Sequence, residues 1–127
     1  MERHFDEELA DLKKHILHMG TLVEDAITRS LDALGRLDEN DARGIVEHDK
    51  EIDALELMID EECLDLLALR QPMASDLRFI AMAMKITTDL ERMADLAVDI
   101  AQRVLELAGQ PLLKPLIDIP KLGSLAL

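Results

Sequence analysis

A heptad pattern over the first 37 positions constrains the fold more than any other feature of this sequence. Its members are separated alternately by four and three residues, which places them on one face of a helix. They are Phe5, Leu9, Leu12, Ile16, Met19, Val23, Ala26, Ser30, Ala33 and Leu37. A helix of about 30 residues is about 45 Å long, so a chain of 127 residues buries this face only by laying other helices alongside it. The pattern therefore predicts a helical bundle.

Two interruptions divide the chain into three helices. The polar segment 38–41 ends the first helix and offers capping side chains for a second. Gln71-Pro72 ends the second, because a residue before proline avoids helical backbone angles. The third is expected to open at Pro72 or at Ser75-Asp76 and to stop before Gly109-Gln110-Pro111. Short connections make neighbouring helices antiparallel, so we predict an all-α, elongated, up-down-up three-helix bundle.

The second helix places acidic residues in its own heptad. The pattern runs through Ile45, Asp49, Ile52, Glu56, Ile59, Cys63, Leu66 and Arg70. The two acids lie either at the solvated edge of the apolar face or in a site between helices.

Composition and charge exclude several classes of protein. Aromatic residues make up 2% of the chain, with 5 Gly and 4 Pro, which argues against an all-β fold. The formal net charge of −13 disfavours nucleic-acid binding and favours a cation or a basic protein surface. A single cysteine, no apolar leader and no stretch of about 20 apolar residues predict a cytoplasmic protein.

An acidic face on the third helix is the best candidate site. Glu91, Asp95 and Asp99 follow one another at intervals of four residues, and the same face is apolar two to four turns earlier. A face that begins apolar and continues as acidic residues is not expected to be fully exposed to solvent. Oxygen donors suit hard cations or iron, and Asp49 and Asp53 on the second helix offer further ligands. The alternative is a solvated acidic face. The apolar residues upstream are Leu77, Ala81 and Met84.

Other chemistry has less support. His15 and His18, with Asp11, allow a surface zinc site, although a polar helix face is favoured. Cys63 is expected to be a buried apolar residue. The methionines of the third helix are expected in the core, and its basic residues are expected to balance charge, as in a Lys85–Asp89 pair, rather than to bind an anion. These are Met73, Met82, Met84 and Met93, and Arg78, Lys85 and Arg92.

Two blocks of sequence are distinctive: Cys63-Leu-Asp-Leu-Leu-Ala-Leu-Arg-Gln-Pro-Met-Ala-Ser-Asp-Leu-Arg78 and Asp89-Leu-Glu-Arg-Met-Ala-Asp-Leu-Ala97. In this order and spacing they resemble the PhoU family of phosphate-uptake regulators. The long first helix with its Phe-Asp-Glu-Glu-Leu start is also similar. The resemblance implies that residues 1–108 form one three-helix unit, comparable to a spectrin repeat, and that 109–127 form a linker toward a second, absent unit.

The resemblance also implies a function. Family members restrain phosphate uptake and repress phosphate-starvation genes at the cytoplasmic side of the phosphate ABC transporter and its sensor histidine kinase. The same resemblance implies a homodimer, no catalysis, contact with the membrane only through partners, and a metal ion or cluster, with iron preferred over zinc, manganese or magnesium. By position, Glu91 and Asp95 match the family's metal motif, and Asp49 and Asp53 offer a second match; Asp99 is added from the helical face.

Two other functions stay open at this point. The first is a metal-dependent phosphoester hydrolase, in which clustered metals act as Lewis acids. The second is a structural helical dimerisation module.

Overall fold

The computed structural model describes residues 2–109, with side chains from His4 onward, and this part of the chain folds into three helices. They are α1, Glu2–Arg36; α2, Glu39–Leu69; and α3, Ala74–Ala108. Each packs against the other two, which confirms the predicted bundle. Apart from Gly109, the expected linker lies outside the described residues.

The connections between helices agree with the sequence at one end of α2 and differ at the other. Asp38 caps α2, since its side chain accepts a hydrogen bond of 3.1 Å from the backbone N–H of Asp41. The N-cap of α3 is Met73, which makes no side-chain cap hydrogen bond. The prediction that Pro72 or Ser75-Asp76 opens the helix was therefore wrong: α3 begins at Ala74. Leu37 and Gln71, one in each connection, have positive φ values of 52° and 44°.

The core positions of α1 follow the predicted heptad. Leu12, Met19, Val23, Ser30 and Ala33 are fully buried. Phe5, Leu9 and Ile16 pack partly buried against the same core. Leu37 lies one residue beyond the end of α1 and packs against the smaller core cluster at that end of the bundle.

The core of α3 consists mainly of small residues and differs from expectation. Its buried residues are Ile80, Ala83, Thr87, Ala94, Ala97, Ala101, Val104 and Ala108. The prediction that Leu77, Ala81 and Met84 begin a buried face was wrong, because Leu77 and Ala81 are exposed and Met84 is only half-buried. The expectation of core methionines also fails for Met73, Met82 and Met93, all exposed. Alanine therefore fills most buried positions of α3, while several of its larger apolar side chains are exposed.

Three grooves between the helices differ in chemistry. The α1–α2 groove carries hydrogen-bonded ion pairs: Arg29 Nη2 donates to Asp41 Oδ1 at 2.7 Å, and Arg70 donates to Glu8. Acidic residues of α2 and α3 interact across the α2–α3 groove, and mainly apolar residues line a hollow between α1 and α3. In the part of the chain that the structure describes, no helix is long and apolar enough to cross a membrane.

Candidate functional site

The acidic groove is formed where α2 and α3 pack together. Asp49, Asp53 and Glu56 come from α2, and Glu91 and Asp95 come from α3. Asp49 interacts electrostatically with Asp53, Asp95 and Glu91, and Glu56 interacts with Glu91 and Asp53. The structure therefore brings together four of the five residues predicted as metal ligands.

Glu56 is the most perturbed acid in this groove. Burial of its side chain, followed by repulsion from Glu91, Asp60 and Asp53, raises the pKa of Glu56 to about 7. A hydrogen bond to Glu91 also favours the protonated form. At neutral pH the Glu56 carboxyl therefore keeps its proton in part of the molecules and donates it to the Glu91 carboxylate.

Asp49 carries an orphaned atom. Its Oδ1 oxygen is buried and accepts no hydrogen bond from any described residue. Burial, then repulsion from Asp53, Asp95 and Glu91, raises the pKa of Asp49 above its ordinary value. Buried polar atoms are nearly always paired, and an unpaired one in a native protein calls for an explanation such as an ion or water. Asp49 and Glu56 thus point toward α3 rather than sit at a solvated edge.

Asp99 lies apart from the groove. It lines a hollow between α1 and α3 together with Leu34, Leu96, Ile100 and Arg103. Asp99 follows Asp95 at the same four-residue spacing, but it lies further around the helix and faces away from α2.

The donor set of the groove fits a hard cation, but the side chains do not converge on one point. All five groups are carboxylates, which are the ligands of magnesium, calcium, manganese and non-haem iron. Repulsion between them and the orphaned Asp49 oxygen are features that a cation relieves. However, among the described residues no three His, Cys, Asp or Glu side chains are placed to hold a metal ion.

The structure places the other candidates in different roles. His15 bonds to Glu62 across the α1–α2 groove, with 2.7 Å between His15 Nδ1 and Glu62 Oε1, while His18 is exposed. Burial raises the pKa of the Cys63 thiol to about 11, so the thiolate needed for nucleophilic chemistry is scarce at neutral pH.

The basic residues of α3 behave differently from expectation. Arg78, Lys85 and Arg92 are exposed, and within the described ion pairs none of them has a partner. The predicted Lys85–Asp89 pair is therefore not formed. These cations remain free to bind solvent, ions or another molecule.

The sequence offered Glu56 as one of two heptad acids that could lie in a site between helices, but Glu56 was not among the predicted metal ligands. The signal was present, since Glu56 occupies a heptad position of α2 flanked by Ile52 and Ile59, both buried. An acid at such a position points toward a neighbouring helix. What the sequence could not supply was that Glu91 stands opposite.

The fold and the groove together define an all-α bundle protein with an acidic face between two helices. The PhoU domain family matches residues 16–104 of the chain. The chain is 44% identical over 121 residues to a phosphate-specific transport system accessory protein PhoU homolog of Zymomonas mobilis. It is 34% identical over 119 residues to the phosphate-specific transport system accessory protein PhoU of Escherichia coli. The chain belongs to the PhoU family.

A solved structure supports the same relationship. The crystal structure of PhoU from Pseudomonas aeruginosa aligns with a TM-score of 0.81 and 42% sequence identity, covering 84% of this chain and 51% of that one. The match to the Zymomonas mobilis protein covers 95% of this chain and 51% of the relative, and that to the Escherichia coli protein covers 94% and 49%. The chain thus spans about half the length of the curated relatives it matches.

Proposed function

We propose that this chain is a regulatory adaptor of phosphate uptake and phosphate-starvation signalling, and that its acidic groove binds a hard cation. It acts by docking on the cytoplasmic side of the phosphate ABC transporter and the sensor histidine kinase, without a catalytic step. Family membership and the names of the relatives, which describe accessory proteins of the phosphate-specific transport system, support the regulatory role.

The observation that carries the cation proposal is the orphaned Asp49 oxygen among mutually repelling carboxylates. Asp49, Asp53, Glu91 and Asp95 would hold the cation, and Glu56 lies close enough to join them or to adjust the charge. A bound cation would supply positive charge that offsets the repulsion between α2 and α3. The electrostatic interaction of Asp49 with Asp53, Glu91 and Asp95 supports placing these four carboxylates around one cation.

Proton uptake and cation binding would alternate in this groove. Without a cation, Glu56 reduces the negative charge by keeping its proton and donating it to Glu91. With a cation present, the ionised form of Glu56 becomes favourable, and the proton is released. The charge presented to a partner along α2 and α3 therefore depends on the occupancy of the groove.

Elemental analysis tests the cation proposal. The chain is purified without chelator, reloaded with iron, manganese, magnesium or zinc, and compared with the Glu91→Gln/Asp95→Asn double variant. We expect metal in the former and a drop in affinity of about tenfold or more in the latter. The matched control is Asp99→Asn, which removes one charge from the same helix outside the groove and should bind as the parent does.

A reporter of phosphate-starvation genes tests the regulatory proposal. In a host lacking its own regulator of this family, the chain should repress alkaline phosphatase when phosphate is plentiful, the double variant should repress less, and Asp99→Asn should repress fully. Full repression by the double variant would show that regulation does not depend on the acidic groove. Turnover of p-nitrophenyl phosphate by the metal-loaded chain would instead favour the hydrolase.

A further inference from the structure

A cavity of about 440 Å³ lies at the end of the bundle where α1 begins and the chain passes from α2 to α3. We call it the end cavity. Its lining comes from the beginning of α1, the end of α2, the connection 71–73 and the first turn of α3. Ligand sites usually measure about 300–1,000 Å³, so the end cavity is large enough for a short segment of another molecule. It is separate from the acidic groove, whose carboxylates come from the middle of α2 and of α3.

One wall of the end cavity is apolar and open to solvent. Leu69 and Met73 line it and are exposed by 70% and 76% of their surface. They are two of the three most exposed large apolar side chains in the described part of the chain. Phe5 and Pro72, both half-buried, complete this wall. Apolar surface kept in solvent beside a concave site provides a contact for an apolar group of a ligand.

The polar wall contains a guanidinium that the protein satisfies only in part. Nη2 of Arg70 donates to Glu8, but Nε of Arg70 is buried and has no hydrogen-bond acceptor among the described residues. Buried polar atoms are nearly always paired, so this group calls for a further acceptor. The Arg70 side chain keeps 31% of its surface exposed, and Gln71 beside it adds an exposed amide. Both side chains can therefore donate to an oxygen that comes from outside.

Two carboxylates give the end cavity an excess of negative charge. Asp6 of α1 and Asp76 of α3 line it, and neither forms an ion pair with another residue that the structure describes. Because Arg70 is already paired with Glu8, its positive charge does not balance both of them. Nearby carboxylates repel an anion and attract a cation. The ligand of this cavity should therefore carry a positive charge.

We propose that the end cavity binds a short peptide segment of another protein in which an apolar residue adjoins a lysine or an arginine. The apolar side chain packs against Phe5, Leu69 and Met73. A backbone carbonyl of the segment accepts a hydrogen bond from Arg70 or Gln71, and its cationic side chain pairs with the two carboxylates. A simple organic cation lacks the carbonyl, and a simple apolar molecule lacks the charge. The inference deepens the proposed adaptor function and rests on it for its biological role, because it names the chemistry of a docking partner.

Proton–nitrogen correlation NMR of the full chain, titrated with the capped dipeptide acetyl-Leu-Arg-amide, tests the proposal. We expect a dissociation constant on the order of 1 mM for so small a ligand. The largest shift changes should occur at the backbone amides of Gln71, Met73 and Asp76. Acetyl-Ser-Arg-amide keeps the charge without the apolar side chain, and acetyl-Leu-Gln-amide keeps the apolar side chain without the charge. Each should bind at least about threefold more weakly.

A pair of double variants tests the carboxylates. Asp6→Asn/Asp76→Asn should weaken the binding of acetyl-Leu-Arg-amide at least about threefold. The matched control is Glu61→Gln/Asp65→Asn, which removes the same charge from two exposed acids of α2 outside the end cavity. The control should bind the dipeptide as the parent does. Far-UV circular dichroism checks that both variants fold.

Four results overturn the proposal. They are no binding up to about 10 mM dipeptide, shift changes spread over the acidic surface instead of clustered at the end cavity, equal binding of the three dipeptides, and equal weakening by the two double variants. Repression of alkaline phosphatase does not enter this measurement. A chain that binds the dipeptide at the end cavity without repressing refutes the adaptor function alone, and a chain that represses without binding it refutes the end cavity alone.

Discussion

Glu56 and Glu91 share a hydrogen bond between carboxyl groups across the interface of α2 and α3. Glu56 belongs to a helix whose neighbouring heptad positions, Ile52 and Ile59, are buried in the core. The pair therefore connects the charge of the acidic groove directly to the packing of the bundle. A change in the protonation of one carboxyl alters both the local repulsion and the stability of the fold.

The first prediction concerns the pH dependence of stability. Unfolding returns the pKa of Glu56 from about 7 to its ordinary value near 4.5, so the folded state binds the proton more tightly than the unfolded state. Its contribution to stability is then complete below about pH 4.5 and is lost as pH rises through about 7. We expect Glu56→Gln to remove this loss and to exceed the parent in stability at pH 8 by about 1–2 kcal/mol.

Urea unfolding followed by circular dichroism at pH 5, 6, 7 and 8 measures the effect. The difference between Glu56→Gln and the parent should grow with pH. Glu61→Gln is the matched control, since Glu61 is an exposed acid on the same helix, and its difference from the parent should stay flat. If the stability of Glu56→Gln and of the parent changed with pH in the same way, Glu56 would not hold a proton against Glu91 in the folded state.

The fold was predictable where large apolar residues mark the core and not where small ones do. In α1 the core positions alternate with plainly polar ones, so Leu12, Met19 and Val23 identify the buried face. In α3 the core positions are filled mainly by alanine, while Met82 and Leu96 lie outside. Alanine signals burial weakly, because it is common on every helix face, so the buried face of α3 emerged only from the packing of three helices.

The site was predictable in part for a geometric reason. Each step of four residues turns an α-helix about 40° past a full circle, so two steps turn it about 80°. Glu91 and Asp95 stay within the reach of α2, whereas Asp99 has turned toward α1 and lines the hollow beside Leu34. Spacing alone cannot reveal where this rotation leaves the groove, because that depends on the position of the neighbouring helix.

The second prediction compares two glycines inside helices. A Cβ at Gly20 would have open space, whereas one at Gly44 would lie 3.3 Å from Nη2 of Arg29. Gly20→Ala should stabilise the chain by about 0.5–1 kcal/mol through helix propensity. Gly44→Ala should gain less, since the guanidinium must shift and its 2.7 Å bond to Asp41 is strained. Urea unfolding of both variants at low protein concentration measures the change in the free energy of unfolding. An equal gain for the two variants would mean that Arg29 moves without cost.

The third prediction concerns the core. Ile59 is completely buried, and Ile59→Ala should cost about 2–5 kcal/mol by leaving a cavity. Thr87 is also buried, but its hydroxyl only donates to the Ala83 carbonyl of the same helix, at 2.8 Å. Thr87→Val keeps the shape of the side chain. It removes the hydroxyl's hydrogen bond but also the cost of burying the hydroxyl, so the free energy of unfolding should change by less than about 1 kcal/mol. A larger loss for Thr87→Val than for Ile59→Ala would show that the hydroxyl has a role beyond packing.

The fourth prediction couples the cation to the protons of the acidic groove. A cation competes with the proton on Glu56 and favours ionised Asp49, and the pKa of each carboxyl is raised in its absence. Manganese or magnesium should therefore raise the melting temperature more at pH 8 than at pH 5, and a chelator should reverse the gain. At about 100 times the dissociation constant the stabilisation is about 2.7 kcal/mol. Thermal unfolding of the parent and of Glu91→Gln/Asp95→Asn, with and without metal at both pH values, provides the measurement. An equal rise in melting temperature for the parent and the variant would show that the cation binds to another surface. An equal rise at pH 5 and pH 8 would show that cation binding does not depend on the protonation of Glu56.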